Sequence, residues 1–148
     1  MQNERVPVDE GERLASVLRL GLLDTPPAEY FDAVARLAAA ALRVPVLLVS
    51  LIDDHRLWFK SRIGLDACEA ARATSFCTHT ILERRPFIVL DATADPRFEN
   101  SPWVTAAPHV RSYVGVPLFT RDRQPVGTLC AMDTQVRRFG DVEVALLG

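Results

Sequence analysis

Lysine is nearly absent from the 148-residue chain, cysteine is sparse, and no long apolar run occurs. No stretch approaches the roughly 18 apolar residues of a membrane span. The start, MQNERVPVDEGER, lacks the apolar core of a signal peptide, so a soluble, cytoplasmic protein with no membrane partner is expected. Cys68, Cys77 and Cys130 are odd in number and have no Cys-x-x-Cys spacing, which speaks against a disulfide framework or a zinc site and for reduced thiols. Lys60 is the only lysine, and 17 basic residues, scattered rather than clustered, face 19 acidic ones. With a formal charge of -2, no nucleic-acid surface is expected.

The length suits one domain spanning residues 1–148. Asp9 and Glu12 resemble a capping box, and Leu14, Val17 and Leu18 follow at helical spacing, predicting a first helix over about 10–20. A second helix is predicted with Thr25 as cap, Pro26 in its first turn, and Phe31, Val34, Ala38, Ala41 and Leu42 as its apolar face. VLLVSLID, Val46 to Asp53, reads as a central strand. DDHR turns it into LWFKSRIG, where Leu57, Phe59, Ser61 and Ile63 alternate against Trp58, Lys60 and Arg62, predicting a hairpin.

A helix over about 76–85, a short strand at 87–90 and a long ordered loop with one helical turn after Pro102 come next. SYVGVPLFTRDRQPVGTLCAMD predicts a second hairpin, apolar on both faces and so covered on both sides. Gly115 and Gly127 mark bulges or close approach, and Pro117 an edge or irregular position. GDVEVALLG starts a last helix at about Asp141 that stops after two turns, as at a truncation or where a partner segment lies elsewhere.

In this order RLASVLRLGLLDTPP, FDAVARLAAAAL, VSLIDDHRLWFKSRIGL, SFCTHTI, VLDATADPRFENSPWV and SYVGVPLFTRDRQPVGTLCAMD resemble the GAF domains of bacterial sensor histidine kinases and cyclic-di-GMP signalling proteins. The resemblance implies an α+β fold: an antiparallel sheet of five to six strands, terminal helices on one face, and a helix-plus-loop pocket layer on the other. It also implies a sensory domain without catalytic activity that binds a small molecule or senses a redox signal. Its terminal helices would pair with a second copy and pass the signal to an output domain, such as a histidine kinase or diguanylate cyclase, outside this chain.

Candidate site residues lie in two stretches. In ATSFCTHTI, Cys77 and His79 are two apart, about 200° around a helix, so they cannot share a proton or a metal within that element. Cys77 is either a small packed side chain or a reactive thiol favoured by the helix start and nearby Arg72. In DATADPRFENSPWV, Asp91, Asp95, Arg97, Phe98 and Trp103 supply acceptors, a forked donor and aromatic walls for a small ligand. The same residues would equally cap turns and pin the loop. Phe76 and Tyr113 complete the ligand-binding set, or fill the pocket themselves, leaving a ligand-free dimerisation module; the seam expected of the sensory domain is Leu14, Val17, Leu18 and Leu22 of the first helix with Val144 and Leu147 of the last.

No cofactor or metal is expected, and His55, His79 and His109 do not form a haem or metal ligand set. Bilin-binding relatives have a cysteine immediately followed by histidine, whereas Thr78 intervenes here. Relatives that reduce free methionine sulfoxide match Cys77 but need a further cysteine just before the second hairpin. PHVRSY has none there, which ranks an enzyme of that kind last.

Overall fold

The computed structural model describes residues 9–147. Helices α1 (Glu10–Leu20) and α2 (Glu29–Leu42) lead into strands β1 (Val46–Ile52), β2 (Arg56–Ile63) and β3 (Glu69–Ala71). Helix α3 (Phe76–Glu83), strand β4 (Phe87–Val89), a 3-10 turn at Ala92–Ala94 and the one-turn helix α4 (Pro102–Thr105) follow, then β5 (Ser112–Phe119), β6 (Pro125–Asp133) and α5 (Asp141–Leu147). The strands form one antiparallel sheet in the order β3-β2-β1-β6-β5-β4. The α+β architecture and the layering expected from sequence are both present.

All seven residues of β1 are buried, as a central strand covered on both sides requires. One cluster, with Leu48, Phe76, Cys77, Phe98, Trp103, Tyr113 and Cys130, lies under α3 and the long loop. The other, with Ala35, Leu42, Leu47, Val114, Ala131 and Leu147, lies under α2 and α5.

Asp9 caps α1 as predicted, its carboxylate accepting from Glu12 N at 3.1 Å, and Gly21, with φ 66°, ends the helix at the predicted Leu20. Thr25 does not cap α2, which begins at Glu29 after an extended Pro26-Pro27. Its hydroxyl instead donates to Leu22 O and accepts from Lys60 Nζ. The face of α2 packed on the sheet has Ala35 and Leu42 buried and Phe31, Ala38 and Ala39 partly buried, with Ala35 and Ala39 where Val34 and Ala41 are predicted.

The strict alternation read in β2 breaks at Lys60. Val49 pairs with Ser61 while Ser50 pairs with Phe59, so Lys60 is the extra residue of a bulge. Leu57 and Phe59 face α3, but Ser61 hydrogen-bonds Asp32 on α2 and Ile63 joins the α2-side cluster. Pro117 lies beyond the three residues of β5 that β4 pairs, Tyr113 to Gly115, so an edge position and a central strand are reconciled.

The residues expected at a dimer seam differ in exposure. Val17 is fully buried against the chain's own core, Leu147 is buried, and Val144 packs on that core. The apolar residues that α1 and α5 expose are Leu18, Leu20, Val142 and Leu146.

Candidate functional site

Helix α3 starts because Ser75 accepts from Thr78 N and its hydroxyl donates to Arg72 O. That start drops Phe76 and Cys77 into the sheet face and leaves His79 half-buried on the other side, as the 200° separation requires. Phe76 stacks on Tyr113 at 4.9 Å and on Phe98 at 4.5 Å, so three predicted pocket residues fill the space under α3. Trp103 is buried edge-on to Phe59 and pins the loop.

The remaining predicted residues divide in two. Asp91 accepts from Thr93 and pairs with Arg111 at 3.1 Å, and these bonds, Arg111 foremost, hold its carboxyl down at about 2. It braces the loop against β5. His79, Arg97 and Phe98 converge with Ser75, Asn100 and Ser101 around a groove of about 230 Å³. Arg97 is held there by a two-point pair with Asp95 (3.0 and 2.7 Å) and lies over the rings of Phe87 and Phe98. The guanidinium holds the Asp95 carboxyl below its ordinary value. His79 stacks on Phe87 and meets Phe98 edge-on.

Cys77 is completely buried, and Arg72 does not serve it: that guanidinium pairs with Glu10 at 2.6 Å and donates to the carbonyls of Asp53 and Asp54. What surrounds the sulfur is a second thiol, Cys130 Sγ at 3.8 Å, with the hydroxyls of Thr128 at 3.1 Å and Tyr113 at 3.5 Å donating to it. Hydrogen bonding with Cys130 foremost, then with Thr128 and Tyr113, pulls the Cys77 thiol below its ordinary value against the opposing effect of burial. No local pattern marks this pair, because the two residues are 53 apart and meet only through the packing of α3 on β6.

A larger recess, about 670 Å³, which no sequence pattern marks, lies on the opposite side around Trp58, Lys60, Ser61 and Asp32. Lys60 is buried there, donating to Thr25 Oγ1 and Pro26 O at 2.7 and 2.8 Å near the rings of Phe31 and Trp58. Its position in the bulge turns it inward, which a period-two reading cannot show. Among the described residues no group of three or more His, Cys, Asp or Glu side chains is placed to hold a metal ion, and no helix is long and apolar enough to cross a membrane.

The chain is 39% identical over 142 residues to a cyclic di-GMP phosphodiesterase of Pseudomonas aeruginosa, covering 95% of this chain and 24% of that protein. Its fold is similar to the GAF domain of an Acinetobacter phosphoenolpyruvate-protein phosphotransferase (TM-score 0.66, 17% identity, 99% and 87% of the two chains). It is similar also to a free methionine-R-sulfoxide reductase from Neisseria meningitidis (TM-score 0.66, 19% identity, 99% and 89%). The expectation that the domain is no enzyme is overturned by these matches: the relative is named a phosphodiesterase, and the fold is one that reductases use. The GAF domain family profile matches residues 26–148, and the chain belongs to the GAF domain family.

Proposed function

We propose that this domain is the sensory part of a cyclic-di-GMP signalling protein and that its ligand is a small carboxylate or amino acid bound at the groove of His79, Arg97 and Phe98. The observation that carries this reading is the convergence of those three residues on one recess between α3 and the loop. At about 230 Å³ the groove is smaller than the roughly 300–1,000 Å³ of drug-sized sites, which suits an amino-acid-sized molecule and not a cyclic dinucleotide. Asp95 holds the Arg97 guanidinium in place through Nε and Nη2, at the position from which it would meet a ligand carboxylate.

The signal leaves through hydrogen bonds already in place. Ser75 and Thr78 at the start of α3 bond to Arg72 O, the Arg72 side chain pairs with Glu10, and Glu10 pairs with Arg13 of α1. A ligand acts on the terminal helices only through its differential affinity for two arrangements of this path. We place the dimer seam on Leu18, Leu20, Val142 and Leu146, so that Leu18→Glu with Leu146→Glu gives a monomer by analytical ultracentrifugation where the parent is a dimer. A second reading, a dimerisation module with a filled interior, draws on the stacked Phe76, Phe98 and Tyr113.

The test is a thermal-shift and calorimetric screen with amino acids, small carboxylates and cyclic nucleotides, together with an assay on free methionine sulfoxide. A carboxylate-bearing ligand is expected to raise the melting temperature in the parent and not in Arg97→Ala. A response that Arg97→Ala leaves intact, or none across the panel, removes the groove as the sensor.

A further inference from the structure

We propose that Cys77 and Cys130 form a dithiol centre that hydrogen peroxide oxidises to an internal disulfide between α3 and β6. This goes beyond ligand binding at the groove and does not depend on it.

Three features of the site carry the inference. First, the two sulfurs are 3.8 Å apart on different elements, each wholly buried, so neither has another thiol to meet. A disulfide needs them at about 2 Å, so its formation draws α3 and β6 together at this point. Second, the surroundings suit a sulfur that becomes an anion. Thr128 and Tyr113 donate to Cys77 Sγ, and Thr80 is hydrogen-bonded to the Tyr113 hydroxyl at 2.8 Å, which orients it. Third, Ser50 Oγ on β1, directly across from Thr128, is a buried hydroxyl that makes no hydrogen bond of ordinary length and lies beside the Cys77 and Cys130 sulfurs. A buried unpaired hydroxyl is costly, and a charged sulfur beside Thr128 gives it an acceptor.

The chemistry balances in two steps. Cys77 thiolate attacks one peroxide oxygen, the O–O bond breaks, and hydroxide leaves and takes up the proton given by the Cys77 thiol, forming water and a sulfenic acid. Cys130 sulfur then attacks the Cys77 sulfur, forming the S–S bond and displacing hydroxide, which the Cys130 proton converts to the second water. The two thiols lose one electron each, and the peroxide gains both. Peroxide is close to water in size, and the eight-residue α3, resting on β4, β5 and β6, is the element whose opening admits it. The disulfide then fixes α3 to a central strand, at the helix whose start is tied through Arg72 to Glu10.

The experiment treats the full chain with hydrogen peroxide, quenches by alkylation in denaturant and maps peptides without reduction. A Cys77–Cys130 linked peptide is expected, with free thiols falling from three to one, the last being the exposed Cys68, and recovery on adding dithiothreitol. Cys68→Ser is expected to keep the crosslink, while Cys77→Ser and Cys130→Ala each abolish it with unchanged circular dichroism. Oxidation confined to Cys68, disulfides between chains only, or Cys77 over-oxidised with Cys130 still free would each overturn the proposal. The parent protein alone decides between these results, so a variant that does not fold leaves the test intact.

Discussion

At the scale of single residues, the two strand glycines separate two kinds of close approach. A Cβ on Gly127 would lie 1.9 Å from Ser50 O, a backbone atom of the neighbouring central strand. A Cβ on Gly115 would lie 2.1 Å from the Tyr113 hydroxyl, the tip of a side chain. Backbone in mid-sheet cannot move without breaking the β1–β6 ladder, whereas a ring can swing at the cost of the packing around it. Gly127→Ala is therefore expected to destabilise by more than the roughly 1–3 kcal/mol typical of overpacking, and Gly115→Ala by an amount within that range. Urea unfolding of the two variants measures the difference, and equal losses would contradict it. Sequence marked both glycines but could not say which contact each makes, just as it marked Cys77 without its partner. Such facts belong to pairs distant along the chain.

At the scale of elements, Glu10 is where α1, the loop before α3 and the β1–β2 turn are joined. Its carboxylate takes both Arg13, whose side chain is fully buried and also donates to Pro125 O, and Arg72. Arg13 foremost, with Arg72, lowers the Glu10 carboxyl from 4.5 to about 2. A depressed carboxyl stabilises the fold fully above its unfolded value, and that contribution fades as pH falls from about 4.5 towards about 2. Because Glu10 is 42% exposed, solvent screening keeps the effect to about 1 kcal/mol. Glu10→Gln is expected to be less stable than the parent by about that amount at pH 7, with the gap closing near pH 2. Denaturation curves across that range read it directly, and a gap independent of pH would show that the charge is not what matters. At α3, Ser75→Ala is expected to cost about 1 kcal/mol as a lost cap, measured the same way.

The elements themselves were largely legible, because helical spacing, caps and apolar runs are local signals. Asp9 caps α1 and the helix spans the predicted 10–20. The failures have local causes too. Thr25 looks like a cap because caps are read from residue type, yet two prolines keep the chain extended until Glu29. The β2 alternation reads as unbroken because a bulge has no composition signal, yet Lys60 is the extra residue and is buried beneath α2. In the candidate site, the loop residues were found by type, but only the fold divides them into a brace at Asp91, a core at Phe76, Phe98 and Tyr113, and an accessible edge at His79 and Arg97.

At the scale of the whole molecule, the sheet has a different hydrophobic cluster on each face, and the same central strands supply both. Leu47 and Leu48 are consecutive in β1 and wholly buried, yet Leu47 belongs to the α2 side and Leu48 to the α3 side. A β-strand presents successive side chains to opposite faces, so one backbone ladder carries two cores. Loss of packing on either face then loosens the ladder that the other face needs, and the domain is expected to unfold as one unit. The two tryptophans report the faces separately: Trp103 packs under the loop, while Trp58 lies near Lys60 on the α2 side. In Trp58→Phe the fluorescence follows the loop face, and in Trp103→Phe the α2 face. Leu47→Ala and Leu48→Ala should each cost about 2–5 kcal/mol, a large share of the roughly 5–15 kcal/mol of a typical domain. Each is expected to move both fluorescence transitions to the same lower denaturant concentration. If Leu48→Ala instead shifts the Trp103 transition and leaves that of Trp58 in place, the faces are energetically separate. The sheet could not then carry an event at α3 to the terminal helices, which would leave the hydrogen-bonded path through Arg72 and Glu10 as the sole route.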